Sequence, residues 1–449
     1  MKIKLLLFFI IPVFIAACSA SRNPVTRKEE TIVTDSVFVN AHIGISLFDV
    51  AENKYLYNYQ GDKYFVPASN IKIVTCYAAL KYLGDSLPGI RYFENDTALY
   101  LLPTGDPGLL HSEFSENPVI GFLQKTNKHL YITGDNWKEK ALGFGWSWDD
   151  YNDNYMVERS PLPVYGNILH WVQEKNETAG EDNPFGNPVS IYSIPEVNWR
   201  VRFNTQPTQK SFYVERNRDD NVYIITEGTE KKKEQDVPFV TNGLQSALEL
   251  LPDTVGKEIR LLPDGSRLPA TGSRLQTIYS RSTDSLLKPM MHRSDNFYAE
   301  QVLLMVSNEL LGEMNDRAVI DTLLKTALND LPQKPRWVDG SGLSRYNLFT
   351  PQDFVTILNK MQREFGMERL KTIFATGSRG TLSNYYKQDS GYIYAKTGTL
   401  SGVVSLSGFL YTRKNKLLVF SVLVNNHHGS ATAIRRRVEI FLSDIRARY

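Results

Sequence analysis

A helix with no polar face must be enclosed on all sides, and this chain carries one near the start of its patterned region. Pro67-Ala68-Ser69-Asn70 opens a segment that ends at Gly84. Ile71, Val74 and Ala78 fall on one helical face, and Ile73, Tyr77 and Leu80 on another. A helix apolar on most sides is a buried helix. It needs layers of structure around it, and 449 residues suffice for two or three domains. Strand patterns stand at both ends of the chain. Ile43 to Val50 and Tyr55 to Tyr59 flank Glu52-Asn53 as a hairpin, and Val403 to Tyr411 and Leu417 to Asn425 flank Arg413 to Lys416 as another. Helical patterns run over Gly243 to Leu251 and Ser285 to Met305, and Ala431 to Ala447 is a closing amphipathic helix. The expected class is α+β: an antiparallel sheet built from N- and C-terminal segments and flanked by helices.

Between these parts the pattern changes. From Ile90 to Phe239 short strand-like runs (Tyr100 to Leu102, Leu130 to Ile132, Val222 to Ile225) are broken by Gly, Pro, Asn and Asp. Glu174 to Pro188 is polar and turn-rich, and Glu230 to Glu234 reads as a charged loop. An inserted β-rich region of one or two subdomains is expected over 89–239. It divides a main domain into 36–88 and 240–449.

The N-terminus reads as an address. Lys2 and Lys4 precede an apolar run, Leu5 to Ala17, interrupted by Pro12. The run falls short of the roughly 20 residues that span a bilayer. A basic start, a short apolar stretch and small residues at its end form a secretory signal over 1–17. Ile15-Ala16-Ala17-Cys18 resembles a bacterial lipobox, in which the cysteine becomes the lipidated first residue. The alternative is an ordinary cleavage beside a chance cysteine. On the lipobox reading the chain is exported and anchored through Cys18, facing the periplasm, with the outer membrane as the favoured site. Residues 18–35 are polar and serve as a tether.

Charge and cysteine content exclude several classes. Lys and Arg total 51 against 49 for Asp and Glu, and the excess of +2 matches the two N-terminal lysines. A neutral body argues against nucleic acid as a partner. Two cysteines, Cys18 and Cys76, make neither a disulfide scaffold nor a zinc site. Cys76 reads as a small buried hydrophobe. There is no HExxH, and the adjacent His427-His428 cannot supply ligands one helical turn apart, so no metal is expected.

Three short motifs carry chemistry. Ser69-Asn70-Ile71-Lys72 places a hydroxyl and an amine on one helical face, three residues apart. A serine is a weak nucleophile until a neighbouring base takes its proton, and a lysine kept neutral can be that base. Ser294-Asp295-Asn296 offers a hydroxyl able to relay a proton and an amide able to bind a substrate amide. Lys396-Thr397-Gly398-Thr399 follows the strand-like Gly391 to Ala395. There Gly398 would let a substrate backbone lie close, and the lysine and threonines would hold a carboxylate. Each motif alone is weak. Ser285-Leu286-Leu287-Lys288 repeats the first pattern and Ser115-Glu116-Asn117 the second. A helix cap with a surface lysine, or a polar loop, explains such isolated copies.

Order strengthens the reading, because SxxK, SxN and KTG in this sequence mark penicillin-binding proteins and class A β-lactamases. Asp339-Gly340-Ser341-Gly342-Leu343-Ser344-Arg345-Tyr346-Asn347, followed by Thr350-Pro351, closely resembles a signature of the D-alanyl-D-alanine carboxypeptidases of peptidase S13 type, the class C low-molecular-mass penicillin-binding proteins. The long stretch between Ser69 and Ser294 fits that family, which carries a large insertion there.

The resemblance implies a penicillin-binding, β-lactamase-like transpeptidase domain and a set of roles. Ser69 attacks the bond between the two terminal D-alanines of peptidoglycan stem peptides. Lys72 is its base, with a pKa lowered by burial and by Lys396. Ser294 relays the proton, Asn296 positions the substrate amide, and backbone N–H groups of Ser69 and Thr399 form the oxyanion hole. Lys396, Thr397 and Thr399 hold the terminal carboxylate. Gly145-Trp146-Ser147-Trp148-Asp149-Asp150 resembles a family segment leaning over the site, where an acid binds the amino end of the stem side chain: Asp150 first, Asp149 next, with Trp146 shaping the wall and Arg345 contributing from the signature loop. β-Lactams should acylate Ser69, cross-links should also be cleaved, and no metal or organic cofactor is implied. The rival readings are a β-lactamase, for which no Glu-x-x-x-Asn stands at the class A position, and a non-catalytic peptidoglycan-binding lipoprotein, which would not be expected to keep the whole residue set.

Overall fold

The computed structural model describes residues 32–175, 189–206, 209–263 and 275–449. Cys18, the 1–17 segment and most of the tether, and residues 176–188 of the polar stretch, lie outside the described residues. The centre is a six-stranded antiparallel sheet drawn from both ends of the chain. In spatial order its strands are Ala375–Thr376, Ile393–Leu400, Val403–Tyr411, Leu417–Asn425, His42–Asp49 and Lys54–Tyr59. Both expected hairpins are present, and the last long strand of the chain pairs with the first, Val424 opposite Ile43. Side chains alternate across this sheet. Phe420, Val422 and Val424 face a layer closed by the helix Ala431–Arg448, through its Ile434, Val438, Leu442 and Ile445. Val419 and Leu423 face the opposite layer, a cluster of helices.

At the centre of that cluster lies the helix Ile71–Tyr82, entered through a 3-10 turn, Ala68–Asn70. Every residue from Ile71 to Leu80 is buried, including Lys72 and Cys76. The expected 285–305 helix is two helices, Thr283–His292 and Asn296–Leu311. The break is Arg293 to Asp295. Asp295 caps the second helix by accepting from Tyr298 N, and Ser294 takes a left-handed φ of 65°. A left-handed non-glycine residue costs about 1–3 kcal/mol and persists where its surroundings hold it.

The insert is larger than expected. The chain enters its five-stranded sheet at Ser86–Glu94 and leaves along the adjacent antiparallel strand Gln276–Ser282. The helix Gln245–Val255, assigned to the main domain by the 240 boundary, buries Ala247, Leu250, Leu251 and Val255 in the insert's own core, and Ile259–Leu261 is a strand of the insert's sheet. The boundary therefore belongs near 282. Two three-stranded sheets complete the region, one from Ile168–Lys175, Val189–Ile194 and Lys232–Pro238, the other from Val201–Phe203, Tyr213–Arg216 and Tyr223–Thr226. The charged run at 230–234 is thus largely strand: Lys232, Glu234 and Asp236 point to solvent along an edge, a common protection against unwanted pairing. At the other end, Ile32 is buried and Asp35 pairs with Arg437, so 32–35 belongs to the folded body and not to a tether.

Candidate active site

The three motifs converge on one cleft, lined by Ser69, Ser294, Asn296 and Thr399 together with Gly145, Ser147, Asp150, Tyr155, Gly342, Leu343, Arg345, Leu400 and Ser401. The turn that carries Ser69 is held from below. Asn70, buried directly after Ser69, donates Nδ2 to Lys396 O at 2.9 Å and so ties the buried helix to the strand Ile393–Leu400. Two glycines let other segments press against the same turn. A Cβ on Gly398 would lie 2.8 Å from Pro67 O and 3.0 Å from Ser69 N. One on Gly342, at φ +84°, would overlap Ala68 O. Gly398 thus serves the approach of strand to turn, not the approach of substrate to strand. The KTG motif lies within the strand and does not end it.

Lys72 is the hub. Its Nζ lies 3.0 Å from Ser69 Oγ, 2.6 Å from Asn296 Oδ1 and 2.8 Å from Ser341 O. Complete burial depresses its pKa to about 8, against the opposing pull of Asp339, Asp295 and Glu300. The expected effect of Lys396 appears on the other partner: burial and then the Lys72 charge hold Lys396 well below the usual lysine range. Lys396 Nζ donates to Ser294 Oγ at 2.8 Å and to Thr397 O at 2.7 Å. Ser69, Lys72 and Asn296 thus form one hydrogen-bonded group and Ser294 and Lys396 a second, and the two lysine charges feel each other between them.

The signature loop is the scaffold of this set. The buried Asp339 carboxylate accepts from Ser344 N, Gly342 N, Asn347 Nδ2 and Trp146 Nε1. Ser341 N donates to Glu300, whose pKa burial raises to about 7, the Asp339 charge helping and the buried Arg159 opposing. Arg159 comes from the insert and also meets Asp316 at 2.7 Å. Sequence reasoning missed Asp339, Ser341, Glu300 and Arg159 as supports, and Tyr155, whose carbonyl accepts Asn296 Nδ2.

The overhanging segment divides. Asp150 lines the cleft beside Tyr155, whose hydroxyl it engages. Asp149 instead accepts from Ser147 Oγ and does not reach the cleft lining. Trp146 is an anchor for the loop, its indole tied to Asp339 and its ring under Arg159, and not a wall of the cleft. Arg345 lines the cleft and donates to Ser401 O. The decoy Ser285 gives its hydroxyl to Ser282 O in the first turn of its helix, and Lys288 is exposed. Asn117 of the second SxN accepts from Leu110 N within the insert.

Comparison with known proteins bears on the family and fold of the chain. Residues 26–444 match the family described as D-Ala-D-Ala carboxypeptidase 3 (S13). The chain is 23% identical to the D-alanyl-D-alanine carboxypeptidase DacB of Haemophilus influenzae, over 92% of this chain and 91% of the relative. It is 26% identical to a D-alanyl-D-alanine carboxypeptidase of an Actinomadura species, over 96% of this chain and 86% of that protein. The crystal structure of penicillin binding protein 4 from Haemophilus influenzae superposes with a TM-score of 0.72 at 19% identity, over 93% of this chain and 99% of the other, so the fold is shared.

Proposed function

The chain belongs to the D-Ala-D-Ala carboxypeptidase 3 (S13) family, and we infer that Ser69 is the nucleophile of its reaction. It is a serine-type D-Ala-D-Ala carboxypeptidase and endopeptidase of peptidoglycan peptides, and it binds β-lactams, one of which is bound in a solved structure of similar fold.

The coordination of Lys72 carries the assignment of roles. A neutral amine has two N–H groups and one lone pair. Asn296 Oδ1 and Ser341 O take the two hydrogens, so the lone pair faces Ser69 Oγ and accepts its proton. The resulting alkoxide attacks the carbonyl carbon of the penultimate D-alanine. Backbone N–H groups of Ser69 and Thr399 receive the developing oxyanion at the head of the buried helix, where the helix dipole favours negative charge. Ser294, whose Oγ already accepts from Lys396, relays the proton: it donates its own hydrogen to the departing amine and regains the one that Lys72 took from Ser69, so that Lys72 returns to its neutral form. Asn296 holds the substrate amide, and water then cleaves the acyl-enzyme. The test is direct: D-alanine release from a D-Ala-D-Ala-ended stem peptide, with a benzylpenicillin-sized mass increase on the peptide containing Ser69. A penicillin adduct on any other residue would refute the assignment.

Asp150 is assigned to the amino end of the stem side chain, because it is the acid of the overhanging segment that reaches the cleft. Asp150→Ala should lower kcat/KM about 10- to 150-fold for a stem peptide with a free side-chain amine, the span of a partly enclosed charge-assisted hydrogen bond. Acylation by benzylpenicillin, which has no such ammonium, should barely change. Equal losses on both would make Asp150 a structural residue.

Export and membrane anchoring through a lipid on Cys18 complete the reading, supported by the pattern Ile15-Ala16-Ala17-Cys18 after a short apolar run. Cys18→Ser should release the protein from the membrane fraction or block its processing. Wild-type protein recovered soluble, with an unlipidated N-terminus, contradicts the anchor.

A further inference from the structure

The groups first expected to hold the terminal carboxylate offer it little free charge. Lys396 is fully buried and committed to Ser294 Oγ and Thr397 O. Burial and the neighbouring Lys72 both disfavour its ammonium form. Thr397 gives its hydroxyl hydrogen to Thr381. Thr399 remains on the cleft lining, and it is neutral. A carboxylate leaving water for a cleft needs a positive partner and hydrogen-bond donors.

Arg435 lies behind the cleft edge and reaches it through Thr399. It lies in the first turns of the closing helix Ala431–Arg448, and its side chain crosses to the KTG strand, where Nη2 donates to Thr399 Oγ1 at 2.7 Å. Three arginines follow one another here. Arg436 pairs with Glu439 and Arg437 with Asp35. Arg435 alone of the three has no carboxylate partner among the described residues. With Nη2 engaged on a hydroxyl, its planar fork keeps further N–H groups, and such a fork matches a carboxylate in bidentate geometry.

We propose that Arg435 is the specificity residue that reads the free α-carboxylate of the substrate's last residue, in company with the Thr399 hydroxyl. The proposal rests on Ser69 as nucleophile and on the Thr399 edge as the seat of the departing residue. Its test uses two stem peptides with the same acyl portion, one ending in D-Ala-D-Ala with a free carboxylate, the other in the corresponding methyl ester. Wild-type enzyme should prefer the carboxylate. Arg435→Gln should lower kcat/KM on the carboxylate about 10- to 100-fold and leave the ester within about twofold, so that the preference collapses. Arg435→Lys, which keeps charge and loses the fork, should retain part of it. Arg345→Gln, at the cation that lines the cleft itself, should leave the preference standing. An unchanged preference in Arg435→Gln overturns the proposal, as does a collapse in Arg345→Gln instead. Equal losses on both substrates also overturn it, because Arg435 would then hold the strand and not the carboxylate. Ester turnover in the same variant reports that fold and nucleophile are intact. Absence of turnover in the wild type would bring down the Ser69 assignment as well.

Discussion

Ser69→Ala is expected to abolish covalent penicillin uptake and to lower D-alanine release by more than about 10⁴-fold, since the acyl-enzyme can no longer form. The protein should still fold. Ser69 is half-buried at the cleft, and its hydroxyl contacts Lys72, which keeps Asn296 Oδ1 and Ser341 O when the serine is lost. Ser285→Ala is the matched control: it removes the serine of the second SxxK, whose hydroxyl closes a local turn. It should leave labelling intact. Loss of labelling in Ser285→Ala with retention in Ser69→Ala would reverse the choice of nucleophile. Intact-protein mass spectrometry after penicillin treatment reads both variants at once.

The second large effect is a pH dependence set by Lys72. The base must be neutral in the free enzyme, and burial brings its pKa to about 8. The folded pKa is lowered, so the neutral form gains as pH rises through 8. At pH 7 roughly one molecule in ten then holds the neutral amine, against fewer than about one in a thousand for an ordinary lysine. Acylation, followed as kcat/KM, should climb about tenfold per unit from pH 6 and level off above about pH 8. Lys72→Met should remove this limb and lower acylation by about 10²- to 10⁴-fold, the usual worth of a general base. A rate that is flat from pH 6 to 9 in the wild type would assign the base to some other group.

The residues that meet at the cleft were legible because each motif is contiguous and its chemistry belongs to side chains. SxxK on a helix already fixes which two groups meet. The supports were not legible for the opposite reason. The third partner of Lys72 is the Ser341 carbonyl, and a backbone carbonyl has no letter in a sequence. Trp146 read as a cleft wall because its partner, Asp339, is distant in the chain and meets it only after the insert has docked. Gly398 read as room for substrate, whereas the atoms that demand a glycine are Pro67 O and Ser69 N, again backbone. The insert boundary failed at Gln245–Val255 because an amphipathic pattern says that a helix buries one side and not which core receives it. The central sheet was readable from its two hairpins, whose alternation survives without knowledge of their partners.

The pairing of His42–Asp49 with Leu417–Asn425 also sets an order of events. Synthesis and the proposed export both deliver the chain from its N-terminal side, so the first strand emerges long before the strand it must join. Pairings between remote segments form slowly, because the intervening chain must be gathered first. The insert has no such wait: its core draws on residues from Ile90 to Ile278, and it can condense before the last third is in place. Lys396 and the strand that carries it arrive late, so the Ser69 turn lacks the partner of its Asn70 tether, and Ser294 its lysine, until that strand is in place. The cleft therefore assembles only when the strands Val403–Tyr411 and Leu417–Asn425 are in place, and a polypeptide stopped before Val403 would carry Ser69, Lys72, Ser294, Asn296 and Lys396 without the neighbouring strands that bring them together.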